Sequence, residues 1–429
     1  MGFTIFIMVA LFLLLLVAGM PVAFALGVPG MLYLFMNGMP LEFIPHSMTS
    51  PLFNFVLIAL PAFLLSGRMM NSSGVTNRLF DLAIALVGRF RGGLAHSNVI
   101  TSMLFASMSG TAVGDTGGLG QIEMKMMTKA GYKKDFSAGI TAASSVLGPL
   151  IPPSVAMVVL GATAGMSIGR LFLGGILPGL LMAGSLMISI ALRAHFGDGK
   201  NWPVIKVPAK EIPKSIVKAL PPLFTPIIII GGISLGIVTP TEAAVIAIDY
   251  AFILGLIYHE ITWKSLIETL KDTVTTSGIF MFIIATAGFF TWILTREGLS
   301  IVIYNFLMPI CNSSQTVALL IIAAVLFITG CFLDTTAAIL LVTPILMPII
   351  NNLGIDPIHF GVVMVVALMT GIITPPFGIC LFVMADVAEL PVSAVTRESV
   401  KYLPSMVITL LLVIFIPALS QWLPNLFFQ

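Results

Sequence analysis

Charge is what this sequence has least of. Asp, Glu, Lys and Arg make up 9% of its 429 residues, against 58% hydrophobic residues and a mean hydropathy of +1.10, whereas a soluble domain carries about 25% charged residues. No water-soluble fold hides that much apolar surface, so a soluble globular domain is excluded. Cysteine is also sparse. Cys311, Cys331 and Cys380 are odd in number and sit in apolar or small-residue surroundings, which gives neither a disulfide framework nor a thiolate metal site. His259-Glu260 lacks a second His at metal-binding spacing. The basic residues lie in separate loops rather than one patch, so a formal net charge of +2 gives no nucleic-acid partner. No Lys or Arg precedes the apolar run from Met1 to Ala18, which therefore lacks the basic start of a cleavable signal peptide and reads as a retained helix.

What is present is a series of apolar runs. A bilayer core about 30 Å thick needs about 20 apolar residues per crossing helix, so the chain has room for roughly ten spans. These are expected near Phe3 to Ala18, Val22 to Met36, Leu52 to Met70, Ile140 to Ala164, Leu171 to Leu192, Leu223 to Val238, Ala243 to Tyr258, Thr276 to Leu294, Phe360 to Met384 and Tyr402 to Ile416. Two further stretches, Gly93 to Met127 and Thr316 to Ile350, carry polar clusters in the middle, where a plain span is greasiest, and are expected to be re-entrant hairpins. Short amphipathic pieces, Thr76 to Arg91, Thr262 to Asp272 and Ser300 to Met308, are placed at the membrane interface. The longest hydrophilic segment, Arg193 to Lys218, holds Lys200, Lys206, Lys210 and Lys214 against Asp198 and Glu211, and by the positive-inside rule faces the cytoplasm.

The chain repeats itself. Gly148-Pro149-Leu150-Ile151-Pro152-Pro153-Ser154 is echoed by Gly371-Ile372-Ile373-Thr374-Pro375-Pro376-Phe377, and Gly131 falls on Gly354 at the same spacing. Thr111-Ala112 and Thr336-Ala337 correspond to within two residues. Lys125, Lys129, Lys133 and Lys134 follow the first hairpin, whereas the equivalent stretch from Ile350 to Pro357 offers only Asp356, so one loop is inside and its twin outside. This yields two inverted repeats, residues 1–195 (hairpin 93–127, broken helix 135–165) and 218–429 (hairpin 316–350, broken helix 358–386), joined by a cytoplasmic loop at 196–217. Inverted repeats with discontinuous helices mark secondary transporters. The expected fold class is thus an all-α integral membrane protein with two hairpins in inverted repeats.

A Pro-Pro pair in mid-span removes backbone donors and strands the carbonyls before it in a solvent that offers no partner. Carbonyls from Gly148 to Ile151, including Pro149, and from Gly371 to Thr374 are hard oxygen ligands of the kind that hold Na⁺ where a helix unwinds. Hairpin residues Ser109, Gly110 and Thr111, and Asp334, Thr335 and Thr336, are expected to complete two sodium cages. New helix N-termini at the breaks suit an anion, so a carboxylate substrate is expected beside Asp115, Thr116, Pro152, Pro153, Ser154, Pro375 and Pro376. Ser, Thr and Gly in membrane helices also serve close packing, and either role fits these tips. Asp115 and Asp334 gain weight as ionisable residues at membrane depth, although Asp115 would equally suit a capped or wet hairpin tip.

Other features read as structural. Glu242 after Thr239-Pro240-Thr241 is a helix-start carboxylate, and Arg68, Arg89, Arg91, Arg170 and Arg296 are interface anchors. Gly114-Asp115-Thr116-Gly117-Gly118-Leu119-Gly120 follows no strand and lacks a P-loop Lys. Ser107-Met108-Ser109-Gly110 and Val113-Gly114-Asp115 each lack the first Gly of an intramembrane-protease motif, which disfavours a membrane-embedded hydrolase.

Ser109 to Asp115, Gly148 to Ser154, Asp334-Thr335-Thr336 and Thr374-Pro375-Pro376-Phe377-Gly378 together make the sequence resemble the large membrane subunit of tripartite ATP-independent periplasmic (TRAP) transporters, across nearly the whole chain. The resemblance implies no enzyme but a sodium-coupled symporter of the bacterial inner membrane, with Na⁺ as coupling ion and no organic cofactor. It implies two protein partners besides lipid: a small four-helix membrane subunit and a periplasmic substrate-binding protein. It further implies an elevator mechanism, in which the hairpins and broken helices slide across a fixed scaffold. Family substrates are organic acids, notably C4-dicarboxylates and sialic acid, and the general look of this chain points to sialic acid (N-acetylneuraminate). A divalent-anion sodium symporter working without a binding protein is the alternative transporter reading.

Overall fold

A bilayer leaves a chain one economical way to satisfy its backbone, the intrahelical ladder, and the computed structural model follows it: the regular structure among the described residues is helical. The structure describes every residue except Met1, Asp198, Lys200, Asn201, Ile205, Lys206, Val207, Ala209, Asn312, Ser313 and Gln429. Lys200, Lys206 and Asp198 of the expected cytoplasmic loop, and Met1 of the first apolar run, therefore lie outside the described residues.

The helices run in chain order α1 (Phe3–Val17), α2 (Val22–Met36), α3 (Phe43–Thr49), α4 (Ala59–Ser72), α5 (Val75–Val87), α6 (Gly93–Ser109), α7 (Ala112–Gly114), α8 (Gly120–Lys129), α9 (Lys134–Ser144), α10 (Val155–Ala164) and α11 (Ile168–Phe196). The second part holds α12 (Glu211–Ser234), α13 (Pro240–Ile257), α14 (Trp263–Arg296), α15 (Leu299–Cys311), α16 (Gln315–Phe332), α17 (Thr335–Asn352), α18 (Pro357–Gly371), α19 (Ile379–Val387), α20 (Val392–Ser399), α21 (Leu403–Phe415) and α22 (Ala418–Phe427). Among the described residues, 8 helical segments are long and apolar enough to cross a membrane. The chain is a multi-pass membrane protein.

Two boundaries differ from the sequence reading. Thr262 to Asp272 is not a separate interfacial piece: Thr262 caps α14, accepting from the Ser265 N–H at 3.1 Å, and the helix then runs unbroken for 34 residues. At 1.5 Å per residue that is about 50 Å, longer than the hydrocarbon core, so one rod serves as both arm and span. The connection expected over 196–217 is shorter, because α12 begins at Glu211 and carries Lys214.

The breaks in α9–α10 and α18–α19 have a common construction. After α9 a single 3₁₀ turn, Ser145–Leu147, leads into unwound chain that ends at Ser154, whose hydroxyl oxygen accepts the Met157 N–H at the start of α10. After α18 the chain unwinds to Gly378, whose φ of 30° favours glycine, before α19 begins. In each case a hairpin tip supplies the missing acceptor. The Val155 N–H donates to the Gly110 carbonyl at 3.1 Å, and the Gly378 N–H donates to the Cys331 carbonyl at 3.0 Å.

A proline pair alone is not what unwinds a helix here, since Pro221-Pro222 sits inside continuous α12. The two unwound pairs follow a glycine four residues earlier, Gly148 and Gly371, whereas Val217 holds that place before Pro221. Glycine is the weaker helix former after proline, which lets the chain leave the helix there.

Glycines also set the closest crossings. A Cβ at Gly330 would lie 2.5 Å from the Leu368 carbonyl oxygen, so α16 and α18 meet backbone to backbone. A Cβ at Gly67 would lie 2.8 Å from Ser109 Cα, which seats α4 directly against the first hairpin tip. Gly330→Val is expected to destabilise the chain by about 1–3 kcal/mol through overpacking. Gly231→Ala, with nothing within 4 Å of the added carbon, should leave stability unchanged or slightly raised. Thermal unfolding in detergent, read side by side for the two variants, checks both.

Candidate functional site

The two tips and the first unwound span converge on one cavity of about 760 Å³. Ser109 to Gly114 reach it from the first hairpin, Asp334 to Thr336 from the second, and Pro149, Val155 and Ala156 from the first broken span. The opposite wall comes from α2, α4 and α14, including Phe24, Leu64, Gly67, Arg68, Asn71, Thr276 and Phe280. Each tip is a helix start by chemistry. Thr111 accepts from the Gly114 N–H at 3.2 Å, and the Asp334 carboxylate accepts from the Thr336 N–H at 3.0 Å. Both tips therefore direct helix N-termini at a space that a solute can occupy.

Of the residues expected from sequence to hold sodium, Ser109, Gly110, Thr111, Pro149, Asp334, Thr335 and Thr336 line this cavity. Gly148 lies just behind it. A Cβ there would be 2.8 Å from Asp115 Oδ2 and 2.9 Å from the Thr111 carbonyl oxygen, so those two oxygens converge on the Gly148 backbone. Ile151, Gly371 and Thr374 are not in the cavity wall. The Thr374 hydroxyl donates to the Thr370 carbonyl at 2.8 Å, in the manner of a helical threonine.

The expected substrate residues scatter more widely. Asp115 is 2% exposed; its Oδ1 accepts from the Ser109 hydroxyl, and its Oδ2 is buried with no hydrogen-bond partner. Thr116 is buried and donates to the Ala112 carbonyl at 2.8 Å. Pro152, Pro153 and Ser154 are buried behind the first tip, while Pro375 and Pro376 are exposed and outside the cavity wall. Asp115 thus belongs geometrically with Ser109, Thr111 and Gly148 rather than with the cavity-lining surface.

Two features were not read as functional from the sequence. Glu123 is fully buried in α8, where the Asn98 amide donates to Oε2 at 2.8 Å and to the Thr141 hydroxyl at 2.7 Å. The Ser144 hydroxyl donates to Asn98 Oδ1 at 2.8 Å, and the Ser102 hydroxyl donates to the Ser144 hydroxyl at 2.9 Å, so one polar network ties α6, α8 and α9 together. A second carboxylate in the apolar first hairpin was the available signal. Arg68, expected as an interface anchor, stands instead in the cavity wall, between Leu64 and Met69-Met70 of α4. Its Nη1 donates to Asp272 at 3.3 Å and its Nη2 to the Thr276 hydroxyl at 2.7 Å. The ion pair is open to water, with side-chain exposures of 36% and 67%, and an exposed pair contributes only about 0–1 kcal/mol.

Comparison with known proteins places this geometry in a family. The sequence profile described as "Tripartite ATP-independent periplasmic transporter, DctM component" matches residues 9–419. The chain is 41% identical over 415 residues to the sialic acid TRAP transporter large permease SiaM of Vibrio cholerae, covering 96% of each protein. It is 40% identical over 374 residues to the C4-dicarboxylate TRAP transporter large permease DctM of Pseudomonas aeruginosa, covering 87% of each. It is 36% identical over 404 residues to the 2,3-diketo-L-gulonate large permease YiaN of Escherichia coli, covering 94% of each. Among solved structures the fold is similar to the YdaH transporter of Alcanivorax borkumensis, with a TM-score of 0.61, 15% identity and 98% of each chain covered. A profile match over nearly the whole sequence and relatives this similar along their length have one meaning: the chain belongs to the DctM family of tripartite ATP-independent periplasmic transporters, as a large permease and not an enzyme.

Proposed function

We propose that this permease imports an organic acid anion, with N-acetylneuraminate as the first candidate, by symport with Na⁺ across the inner membrane. The observation that carries sodium coupling is Asp115 Oδ2, a carboxylate oxygen buried without a protein partner and aimed at the unwound backbone of Gly148 beside the Thr111 carbonyl. To stay ionised in that position, a carboxylate calls for a cation. Oxygen ligands alone, without thiolate or imidazole, suit a hard ion such as Na⁺. The second site of the proposal is built on Asp334, Thr335 and Thr336 with the carbonyls from Gly371 to Thr374. The cavity between the tips supports the anionic substrate: its volume of about 760 Å³ falls in the 300–1,000 Å³ range of small-molecule sites, and two helix starts line it.

The partners of the proposal are a small membrane subunit and a periplasmic binding protein that delivers the solute. Two longer relatives support the first partner. The chain covers 68% of the sialic acid permease SiaT of Haemophilus influenzae and 65% of the isethionate permease DctMQ of Oleidesulfovibrio alaskensis, which leaves space for a second subunit in one polypeptide. On this reading the two hairpins and two broken spans, as inverted repeats, move together against α1–α4 and α12–α15 in an elevator cycle. A C4-dicarboxylate is the second substrate reading, favoured by a relative nearly as similar as the sialic acid permease.

Proteoliposomes holding the permease, its small subunit and the loaded binding protein should take up N-acetylneuraminate only with an inward Na⁺ gradient. Replacing Na⁺ by K⁺ should lower the rate at least about tenfold, a loss of about 1.4 kcal/mol in driving interaction; equal rates in the two salts would sink the coupling. Succinate uptake in place of N-acetylneuraminate uptake would move the assignment to the second substrate. For the ion site, Asp115→Asn keeps the shape and removes the charge. The expected outcome is an Na⁺ requirement raised about tenfold or more with an unchanged elution profile, and an unaltered Na⁺ titration would remove Asp115 from the cage.

A further inference from the structure

The tips and breaks leave one charged group of the cavity wall unused. Only Arg68 and Asp334 carry charge among the described lining residues, and Asp334 is engaged as the cap of α17. Arg68 is therefore the one cationic side chain among the described lining residues. Its position is fixed by its neighbour: no side chain fits at Gly67, because the backbone of Ser109 and Met108 fills that place. Arg68 thus stands one residue from the contact between α4 and the first hairpin tip.

Its partners hold it loosely. A guanidinium has five N–H donors, and two of Arg68's have acceptors, Asp272 Oδ2 and the Thr276 hydroxyl, both on α14. The Asp272 bond, at 3.3 Å, is longer than the charge-assisted norm of about 2.7–2.9 Å. Asp272 is also the more exposed partner, so water competes for its carboxylate while the guanidinium borders the apolar-walled cavity. A solute carboxylate entering there can offer the fork a bidentate partner in a less watery setting, where such a pair is stronger.

We propose that Arg68 is a carboxylate receptor in the cavity wall and that Asp272 is its displaceable counter-ion. Resting on the organic-acid reading above, this names the group that recognises the acid function. The arriving carboxylate takes the guanidinium from Asp272, and Asp272 reclaims it as the solute leaves, so that the empty cavity never presents an unpaired cation. Thr276 keeps the guanidinium in place through the exchange.

The test uses the membrane complex of permease and small subunit, purified without binding protein, in saturating Na⁺. The solute concentration giving half-maximal protection against thermal unfolding is measured with N-acetylneuraminate and with succinate, and uptake turnover is measured separately in proteoliposomes supplied with the loaded binding protein. Arg68→Gln should raise that concentration at least about tenfold, and Arg68→Lys, which keeps charge but loses the fork, about threefold or more. Asp272→Asn should act in the opposite direction, lowering the concentration while slowing turnover, because the competitor that aids release is gone. A purely structural ion pair predicts that Arg68→Gln and Asp272→Asn weaken binding alike; that result, or an unchanged value for both Arg68 variants, overturns the proposal. If Arg68→Gln does not fold, the contrast between Arg68→Lys and Asp272→Asn decides in the same way. Wild-type complex that takes up neither acid defeats the underlying reading, an outcome distinct from wild-type uptake with Arg68 variants that bind normally.

Discussion

In hydrocarbon an amide N–H or carbonyl without a partner costs several kcal/mol, and this chain meets that constraint most sharply at its two unwound spans. Helix elsewhere satisfies itself. At Gly148 to Ser154 and at Ile372 to Gly378 it cannot, and the chain resolves the difficulty by bringing a second reversal to each place. The Gly110 carbonyl takes the Val155 N–H, and the Cys331 carbonyl takes the Gly378 N–H. Break and tip thus depend on each other: an isolated broken helix would leave donors stranded, and an isolated hairpin would expose its turn. The pairing also collects polar groups into a small space, which explains why the tips and the first unwound span border one cavity.

Close approach between these parts requires the absence of side chains. Gly330 on α16 faces the backbone of α18, Gly67 on α4 faces the first tip, and Gly148 faces Asp115 and Thr111. At Gly148 the missing Cβ has a chemical effect as well as a steric one. It leaves the unwound backbone open to two oxygens, one of them Asp115 Oδ2, which has no hydrogen-bond partner.

How much of this was legible in the sequence follows from how local each signal is. Proline pairs and polar interruptions of apolar runs are written in a few consecutive residues, and helices end beside them, between α9 and α10, between α18 and α19, after α6 and after α16. Residue types alone do not decide a break. Pro221-Pro222 has the residue types of a break but lies in intact α12, because nothing upstream loosens the helix and the Tyr250 hydroxyl donates to the Pro221 carbonyl at 2.8 Å. Arg68 looked like an anchor because sequence shows an arginine near the end of a span but not the cavity on its flank. Glu123 was passed over because its partners, Asn98 and Ser102 on α6 and Thr141 on α9, come from two other helices, and a polar network assembled across helices has no short motif.

Charge placement gives the proposed coupling its physical basis. Asp115, Glu123 and Asp334 all belong to the hairpins, and their described hydrogen-bond partners are neutral hydroxyls, amides and backbone groups. The cavity's arginine is on α4 instead. A body made of hairpins and broken spans would carry negative charge through the low-dielectric layer if it crossed empty, and an unpaired charge at membrane depth is expensive. Cations bound at the tips offset the charges of Asp115 and Asp334. The bound anionic solute then restores a negative charge near the two cation sites, where it is best compensated. Under the proposed cycle, sodium and solute each make the other's crossing easier for electrostatic reasons alone, and coupling needs no contact between them beyond the shared tips.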